Sequence, residues 1–95
     1  MERRPLGRTG VTVSRLCLGT MAFGGHADEA ESARIYAAAR DAGIDFLDCA
    51  DVYNGGRAEE ILGRLMAHER DDLVVATKLA MGPEGPNAKG ASRRR

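Results

Sequence analysis

Short apolar segments alternate with helix-length segments through most of this chain, and this alternation restricts the fold more than any other feature of the sequence. Residues 16–20, 44–47 and 73–77 have the character of strands, and residues 29–42 and 58–68 that of helices. The first helix follows Asp28, whose carboxylate can cap free backbone amides in a capping-box-like pattern with Glu31. The second helix has one apolar side, formed by residues 61, 62, 65 and 66. Strands separated by helices of this length predict a parallel sheet with right-handed crossovers.

The two ends of the chain lie outside this alternation. Residues 3–13 contain two short extended runs around Gly7 and Gly10, which predict a β-hairpin that packs as a lid on a larger structure. After Lys78 the pattern stops, and residues 81–95 have the composition of a loop followed by a flexible basic tail. The predicted fold is therefore a hairpin followed by βαβαβ over residues 1–95, which form one small α/β domain or a piece of a larger one.

Composition excludes several classes of protein. Hydrophobic residues make up 43% of the chain and charged residues 29%, which is typical of a globular protein and not of a disordered one. The formal net charge of +0 gives no overall attraction to nucleic acid or to an anionic membrane. No apolar run approaches the ~20 residues of a membrane span, and no signal peptide precedes the hairpin. We therefore expect a cytoplasmic protein with no nucleic-acid or membrane partner.

Cysteine and histidine are too sparse to define a site. Cys17 and Cys49 both lie in apolar strand-like segments, which predicts buried, reduced thiols, although the sequence leaves a bridge between them open. His26 and His68 lack the spacing of metal ligands, so solvated histidines are the better interpretation and no metal site is predicted.

Three side chains with useful chemistry follow the predicted strands. Asp48 stands just after the second strand, Tyr53 follows five residues later, and Lys78 closes the third strand. Loops after the strands of a parallel α/β fold are where chemistry collects, so these side chains could converge. From the residues alone a simpler interpretation stays open. In that interpretation Asp48 is a turn cap, Tyr53 a half-buried packing residue and Lys78 a solvated strand end.

Five sequence segments then occur in a fixed order. They are LGRTGVTVS at residues 6–14, LGTM at 18–21, DAGIDFLDCADVY at 41–53, EEILG at 59–63 and ATK at 76–78. Together they resemble the amino-terminal third of the aldo-keto reductases, over about residues 3 to 92. The resemblance implies a (β/α)8 TIM barrel, of which this chain holds the hairpin and three strands. It also implies NADP(H) as the cofactor and a small carbonyl compound as the substrate.

The resemblance also implies roles for the three side chains. Tyr53 would donate the proton when hydride transfer reduces an aldehyde or ketone to an alcohol. Because a free tyrosine has a pKa of about 10, it is a weak acid at neutral pH and needs assistance. The Lys78 ammonium would stabilise the phenolate, and Asp48 would hold and orient the lysine.

The cofactor contacts implied by the resemblance follow the first predicted strand. Gly19, Thr20 and Met21, together with Asp48, would contact the nicotinamide end of the cofactor, because glycine permits the close approach of a ligand. A simple turn explains Gly19 equally well. No GxGxxG or GxxxxGK[ST] pattern follows a strand, so neither a Rossmann nor a P-loop nucleotide site is predicted.

Much of the implied barrel lies beyond this chain. The family uses a histidine after its fourth strand and phosphate-binding residues near its last strands, and such a barrel usually needs ~250 residues. We therefore expect a truncated gene product, a reading-frame error or a fragment, which is inactive alone and binds NADPH weakly or not at all. The alternative is a non-catalytic α/β module that binds a partner or nucleic acid through basic residues 93–95.

Overall fold

The computed structural model describes residues 1–82 and 85–93, which contain five strands, two α-helices and two short 3-10 helices. The strands and α-helices are β1 Arg3–Pro5, β2 Thr12–Ser14, β3 Cys17–Gly19, α1 Glu29–Asp41, β4 Phe46–Asp48, α2 Arg57–Leu65 and β5 Val74–Ala76. The predicted α/β fold, a hairpin followed by βαβαβ, is confirmed. Within this described part of the chain, both helices are too short and too polar to cross a membrane.

The strands form two separate sheets. β1 pairs antiparallel with β2 in the hairpin, and β3, β4 and β5 form a parallel sheet in that order. Its register aligns three rows of residues across the strands: 17, 46 and 74; 18, 47 and 75; and 19, 48 and 76. Because successive side chains of a strand point to opposite faces, the first and third rows share one face and the middle row faces the other.

The hydrophobic core lies on the face of the middle row, beneath the two helices. Leu47 of β4 has 0% exposure and packs in one cluster with Tyr36 from α1 and with Ile61 and Leu62 from α2. The predicted apolar side of the second helix is thereby confirmed. Burial of a leucine of this size contributes about 2 kcal/mol, so packing on this face stabilises the parallel sheet.

The opposite face of the sheet is open in the described part of the chain. Cys17 and Ala76 are exposed there, and Phe46 and Val74 are only half-buried. The prediction that Cys17 is buried is therefore wrong, because the alternation of β3 directs its neighbour towards the helices and Cys17 away from them. Cys49 is buried as predicted, and both cysteines are free thiols.

Helix α1 begins and ends as its sequence predicts. The Asp28 carboxylate accepts a hydrogen bond from the Glu31 backbone N–H at 2.8 Å, which confirms the cap. The Glu31 carboxylate instead accepts from Arg34 Nε at 2.8 Å, so it serves a pair within the helix and not a full capping box. After the helix, Gly43 adopts a φ of +87°, which a glycine accommodates without strain.

The chain after β5 has no regular element in its described portion. Residues 85–93 contain neither helix nor strand, although Gly90 N donates to Ala80 O at 2.8 Å in an isolated bridge. Part of the predicted loop and basic tail, residues 83–84 and 94–95, lies outside the described residues. The flexibility predicted for residues 81–95 stays a prediction.

Arg3, Ser14 and Asp45 form a polar latch that joins the hairpin to the parallel sheet. Ser14 N donates to Asp45 Oδ1 at 2.8 Å, Asp45 N donates to Ser14 Oγ at 3.1 Å, and Arg3 Nη1 lies 2.8 Å from Asp45 Oδ2. Partial burial opposes ionisation of Asp45, but the Ser14 N–H and the Arg3 guanidinium outweigh it and lower the pKa of this carboxyl. The latch fixes the hairpin beneath the amino-terminal end of β4.

We expect Asp45→Asn to lower the free energy of unfolding by about 1 kcal/mol at neutral pH, because the charge that Arg3 and Ser14 stabilise is lost. Since the pKa of Asp45 is lowered, this contribution is complete above about pH 4, the range of an unfolded aspartate, and disappears as the pH falls through the lower folded value. Urea unfolding at decreasing pH measures it, with the exposed Asp71→Asn as the control. If the difference in unfolding free energy between Asp45→Asn and wild type did not decrease at acid pH, the stabilising role of the Asp45 charge would be contradicted.

Candidate active site

The three predicted catalytic side chains meet at the carboxyl-terminal edge of the parallel sheet. Asp48 is the last residue of β4, and Lys78 stands two residues after the end of β5. Tyr53 lies between them in the loop that leads from β4 into α2. The register sets Asp48 beside Ala76, so the strand pairing itself brings the carboxylate within reach of the lysine.

Lys78 is the centre of the cluster. Its Nζ donates to both carboxylate oxygens of Asp48 at 2.8 Å, to the Cys49 carbonyl at 2.8 Å and to the Tyr53 hydroxyl oxygen at 3.2 Å. The same nitrogen lies 5.1 Å from the centroid of the Tyr53 ring, a distance at which a cation is attracted to an aromatic face. Because the phenolic oxygen accepts from the lysine, its own hydrogen remains for another acceptor.

The electrostatics of the cluster keep the lysine charged. The hydrogen bond to Asp48, aided by that to Tyr53, raises the pKa of Lys78 above its usual value against a smaller opposing effect of desolvation. The Lys78 and Asp48 side chains are 50% and 39% exposed, so water screens their attraction. The pair therefore adds little to stability and is open to a molecule arriving from solvent.

Thr20 holds the backbone of Asp48 through two hydrogen bonds. Its N–H and its hydroxyl both donate to the Asp48 carbonyl at 3.0 Å, and the Thr20 side chain is fully buried. On the other side, Cys49 N donates to Ala76 O at 2.8 Å. These bonds fix the backbone around Asp48, so that its carboxylate is held next to Lys78.

The remaining predicted cofactor contacts border open surface. An added Cβ at Gly19 would meet no other atom within 4 Å, and Gly19 lies in the same row of the sheet as Asp48. Met21 is 70% exposed. Of the predicted set, Gly19, Met21 and Asp48 are accessible, whereas the Thr20 hydroxyl is directed into the backbone.

Asn54 lies directly after Tyr53 and has contacts that were not predicted from the sequence. Its φ of +53° is left-handed, and its side-chain Nδ2 donates to Met21 O at 2.8 Å and to Phe23 O at 2.7 Å. The bonds join the loop after β4 to the loop after β3. An asparagine placed directly before two glycines is a signal for this conformation, since asparagine tolerates the left-handed region better than most residues.

Other polar groups near the sheet serve the fold. Thr77 Oγ1 donates to Glu59 Oε1 at 2.5 Å, which joins the end of β5 to the first turn of α2. A cavity of about 230 Å³ on the helix-covered side is lined in part by Cys49, Leu62 and Val75, and its lining does not include Asp48, Tyr53 or Lys78. Within the described residues, no three His, Cys, Asp or Glu side chains are grouped to hold a metal.

Proteins of known sequence share this arrangement of segments. The sequence model of the Aldo/keto reductase family matches residues 15–95. A probable voltage-gated potassium channel subunit beta from Oryza sativa subsp. japonica is 47% identical to this chain over a 98-residue alignment, which covers 99% of this chain and 30% of that protein. The uncharacterized oxidoreductase YrpG from Bacillus subtilis (strain 168) is 46% identical over 94 residues, covering 92% of this chain and 29% of its own length.

A solved structure shares the fold. The aldo-keto reductase AKR11C1 from Bacillus halodurans, in its holo form, matches with a TM-score of 0.82 and 35% identity over 95% of this chain and 30% of its own. The chain thus spans about 30% of the length of the relatives it matches, at their amino-terminal part. It has the hairpin and three parallel strands of their TIM barrel. From the family match and the shared fold, the chain belongs to the aldo/keto reductase family.

Proposed function

We propose that this chain carries the proton-donating part of an NADP(H)-dependent oxidoreductase that reduces aldehydes or ketones to alcohols. Tyr53 is the proton donor, Lys78 assists it, and Asp48 holds the lysine. The observation that carries this proposal is the position of the Lys78 ammonium, which contacts the Asp48 carboxylate and the Tyr53 oxygen at once.

The chemistry follows from the direction of these hydrogen bonds. The hydrogen of the Tyr53 hydroxyl is free to pass to a carbonyl oxygen, because the tyrosine oxygen already accepts from Lys78. As the carbonyl carbon gains a hydride, its oxygen becomes an alkoxide and takes this proton. The positive charge of Lys78 stabilises the phenolate that remains until solvent returns a proton to it.

Asp48 maintains the conditions for this step. Its two contacts with Lys78 raise the pKa of the ammonium, so the positive charge persists at neutral pH and above. The other tyrosine is unsuited to the task. Burial, together with the Glu69 carboxylate, raises the pKa of Tyr36 to about 12, and this residue packs in the core beneath the helices.

NADP(H), when bound, supplies the hydride. We assign its nicotinamide end to Gly19, Thr20, Met21 and Asp48. The exposed Gly19 backbone beside Asp48 supports this assignment, because glycine has no side chain of its own to obstruct a flat group. Thr20 contributes indirectly, by holding the Asp48 backbone. The holo form of the Bacillus halodurans relative further supports a bound cofactor in this fold.

The 95 residues provide one part of such a site. β3 and β5 each lack a neighbouring strand on one side in the described part of the chain, and the sheet face beside the cluster is open there. The substrate-positioning histidine and the phosphate-binding residues implied by the resemblance belong to later strands of the barrel. Turnover therefore requires those strands.

We expect the 95-residue chain alone to show no saturable NADPH binding at micromolar concentrations and no reduction of an aldehyde. The phosphates of the cofactor lack their partners, and only the nicotinamide end has contacts. Titration followed by NADPH fluorescence checks this, with circular dichroism to confirm that the chain is folded. Micromolar affinity of the folded chain for NADPH would contradict the proposal that later strands supply the partners of the cofactor phosphates.

The proton donor is tested in a hybrid enzyme, in which this chain replaces the matching segment of the Bacillus halodurans aldo-keto reductase. We expect Tyr53→Phe to lower kcat for aldehyde reduction by about 100-fold or more, because the general acid is removed. The rate of NADPH oxidation measures the effect.

Tyr36→Phe is the matched control in the same hybrid. It removes a phenolic hydroxyl that contacts Glu69, so it should reduce stability and leave kcat within about twofold. Full activity of Tyr53→Phe, in a hybrid whose parent reduces aldehydes, would refute the role of Tyr53.

A further inference from the structure

The turn that follows Tyr53 has an unusual backbone. Asn54, Gly55 and Gly56 all have positive φ values, of +53°, +66° and +97°. Glycine adopts such angles freely, but a residue with a side chain does so at a cost. An asparagine held in this region therefore indicates that its side chain makes contacts that offset the cost.

Those contacts are two hydrogen bonds to the neighbouring loop. Asn54 Nδ2 has two hydrogens, and it donates to Met21 O at 2.8 Å and to Phe23 O at 2.7 Å. Phe23 is 1% exposed and belongs to the hydrophobic core, so its carbonyl is a fixed point. The amide therefore fastens the turn that carries Tyr53 to a rigid part of the fold.

The same bonds complete a closed ring of contacts that includes Asp48, Lys78 and Tyr53. Phe23 N donates to Thr20 O at 3.0 Å, and the Thr20 hydroxyl donates to Asp48 O at 3.0 Å. Asp48 holds Lys78, and Lys78 holds the Tyr53 oxygen. Asn54 follows Tyr53 in the chain and closes this ring of contacts on the side away from the lysine.

The surrounding space fits the amide closely. A Cβ added at Gly25 would stand 2.5 Å from Asn54 Oδ1, which is closer than such atoms approach in proteins. Gly25 has an ordinary backbone conformation for an alanine, so Gly25→Ala displaces the amide without straining the turn itself. This substitution perturbs Asn54 from outside.

We propose that Asn54 is a positioning residue, which fixes the Tyr53 hydroxyl against Lys78 by binding the Met21 and Phe23 carbonyls. The proposal rests on the function proposed above for its catalytic consequence, and its structural part stands separately. Asn54 also holds the carbonyl of Met21, so it couples the proton donor to the loop assigned to the cofactor.

Two substitutions of Asn54 separate its amide from its backbone. Asn54→Gly accepts the left-handed φ and lacks the amide, and Asn54→Asp tolerates this φ and has nearly the same size but no N–H to donate. In the hybrid enzyme both substitutions should lower kcat by about 10-fold to 100-fold with little change in KM for the aldehyde. The reason is that the proton donor, Tyr53, is misplaced and not removed. Gly25→Ala should lower kcat in the same direction.

The second readout is independent of catalysis. The chain has two tyrosines and no tryptophan, so ring-labelled tyrosine gives two sets of NMR signals, which Tyr36→Phe assigns. In the 95-residue chain, Asn54→Gly should shift or broaden the Tyr53 signals and leave those of Tyr36 unchanged. A residue with a merely structural role would disturb both tyrosines and leave kcat per folded molecule intact.

The outcomes distinguish the two proposals. Unchanged Tyr53 signals, or an unchanged kcat in a hybrid whose turnover depends on Tyr53, would overturn the role of Asn54 and leave the proposed function standing. If the parent hybrid shows no Tyr53-dependent turnover, the proposed function fails, and the Tyr53 signals alone then decide the positioning role: a shift supports it and no shift overturns it.

Discussion

The register of β4 against β5 is the constraint on which the rest of the site depends. It aligns Asp48 with Ala76, and the lysine two residues later reaches back to the carboxylate. A shift of one residue would turn Asp48 towards the helices and remove it from Lys78. Burial of Leu47 beneath the helices prevents that shift, because its neighbours in β4 would have to take its place in the core. The packing of one face therefore determines which side chains the other face presents.

The two faces of the sheet have different tasks. The helix side holds the apolar cluster around Leu47 and Ile61, which supplies stability. The other side carries Asp48 and leads to Lys78, whose half-exposed pairing contributes little to stability and is accessible to ligands. In the relatives this chain matches over about 30% of their length, the remaining residues continue the fold. In the function proposed above, later strands of the barrel cover the open face and the two sheet edges of the described residues.

Local sequence signals predicted what local interactions determine. The Asp28 cap, the apolar side of α2 and the order of elements follow from spacing and capping alone, and the positions of Asp48, Tyr53 and Lys78 follow from strand ends and from a family resemblance. Contacts between distant residues escaped prediction. The Ser14–Asp45 and Phe23–Asn54 bonds each join residues 31 apart, which no local pattern reveals. The exposure of Cys17 depends on which face the helices cover, and apolar neighbours in sequence do not specify that.

The most direct test of the central claim is the titration of Lys78 in the native chain. Lys78 and Lys89 are the two lysines of the sequence, so side-chain NMR of a lysine-labelled sample resolves them once Lys78→Met assigns the signals. We expect a Lys78 pKa above the ordinary value of about 10.4, which falls towards that value in Asp48→Asn as the carboxylate charge is removed. A Lys78 that titrates at or below the ordinary value in the folded chain, and is unaffected by Asp48→Asn, would contradict the account.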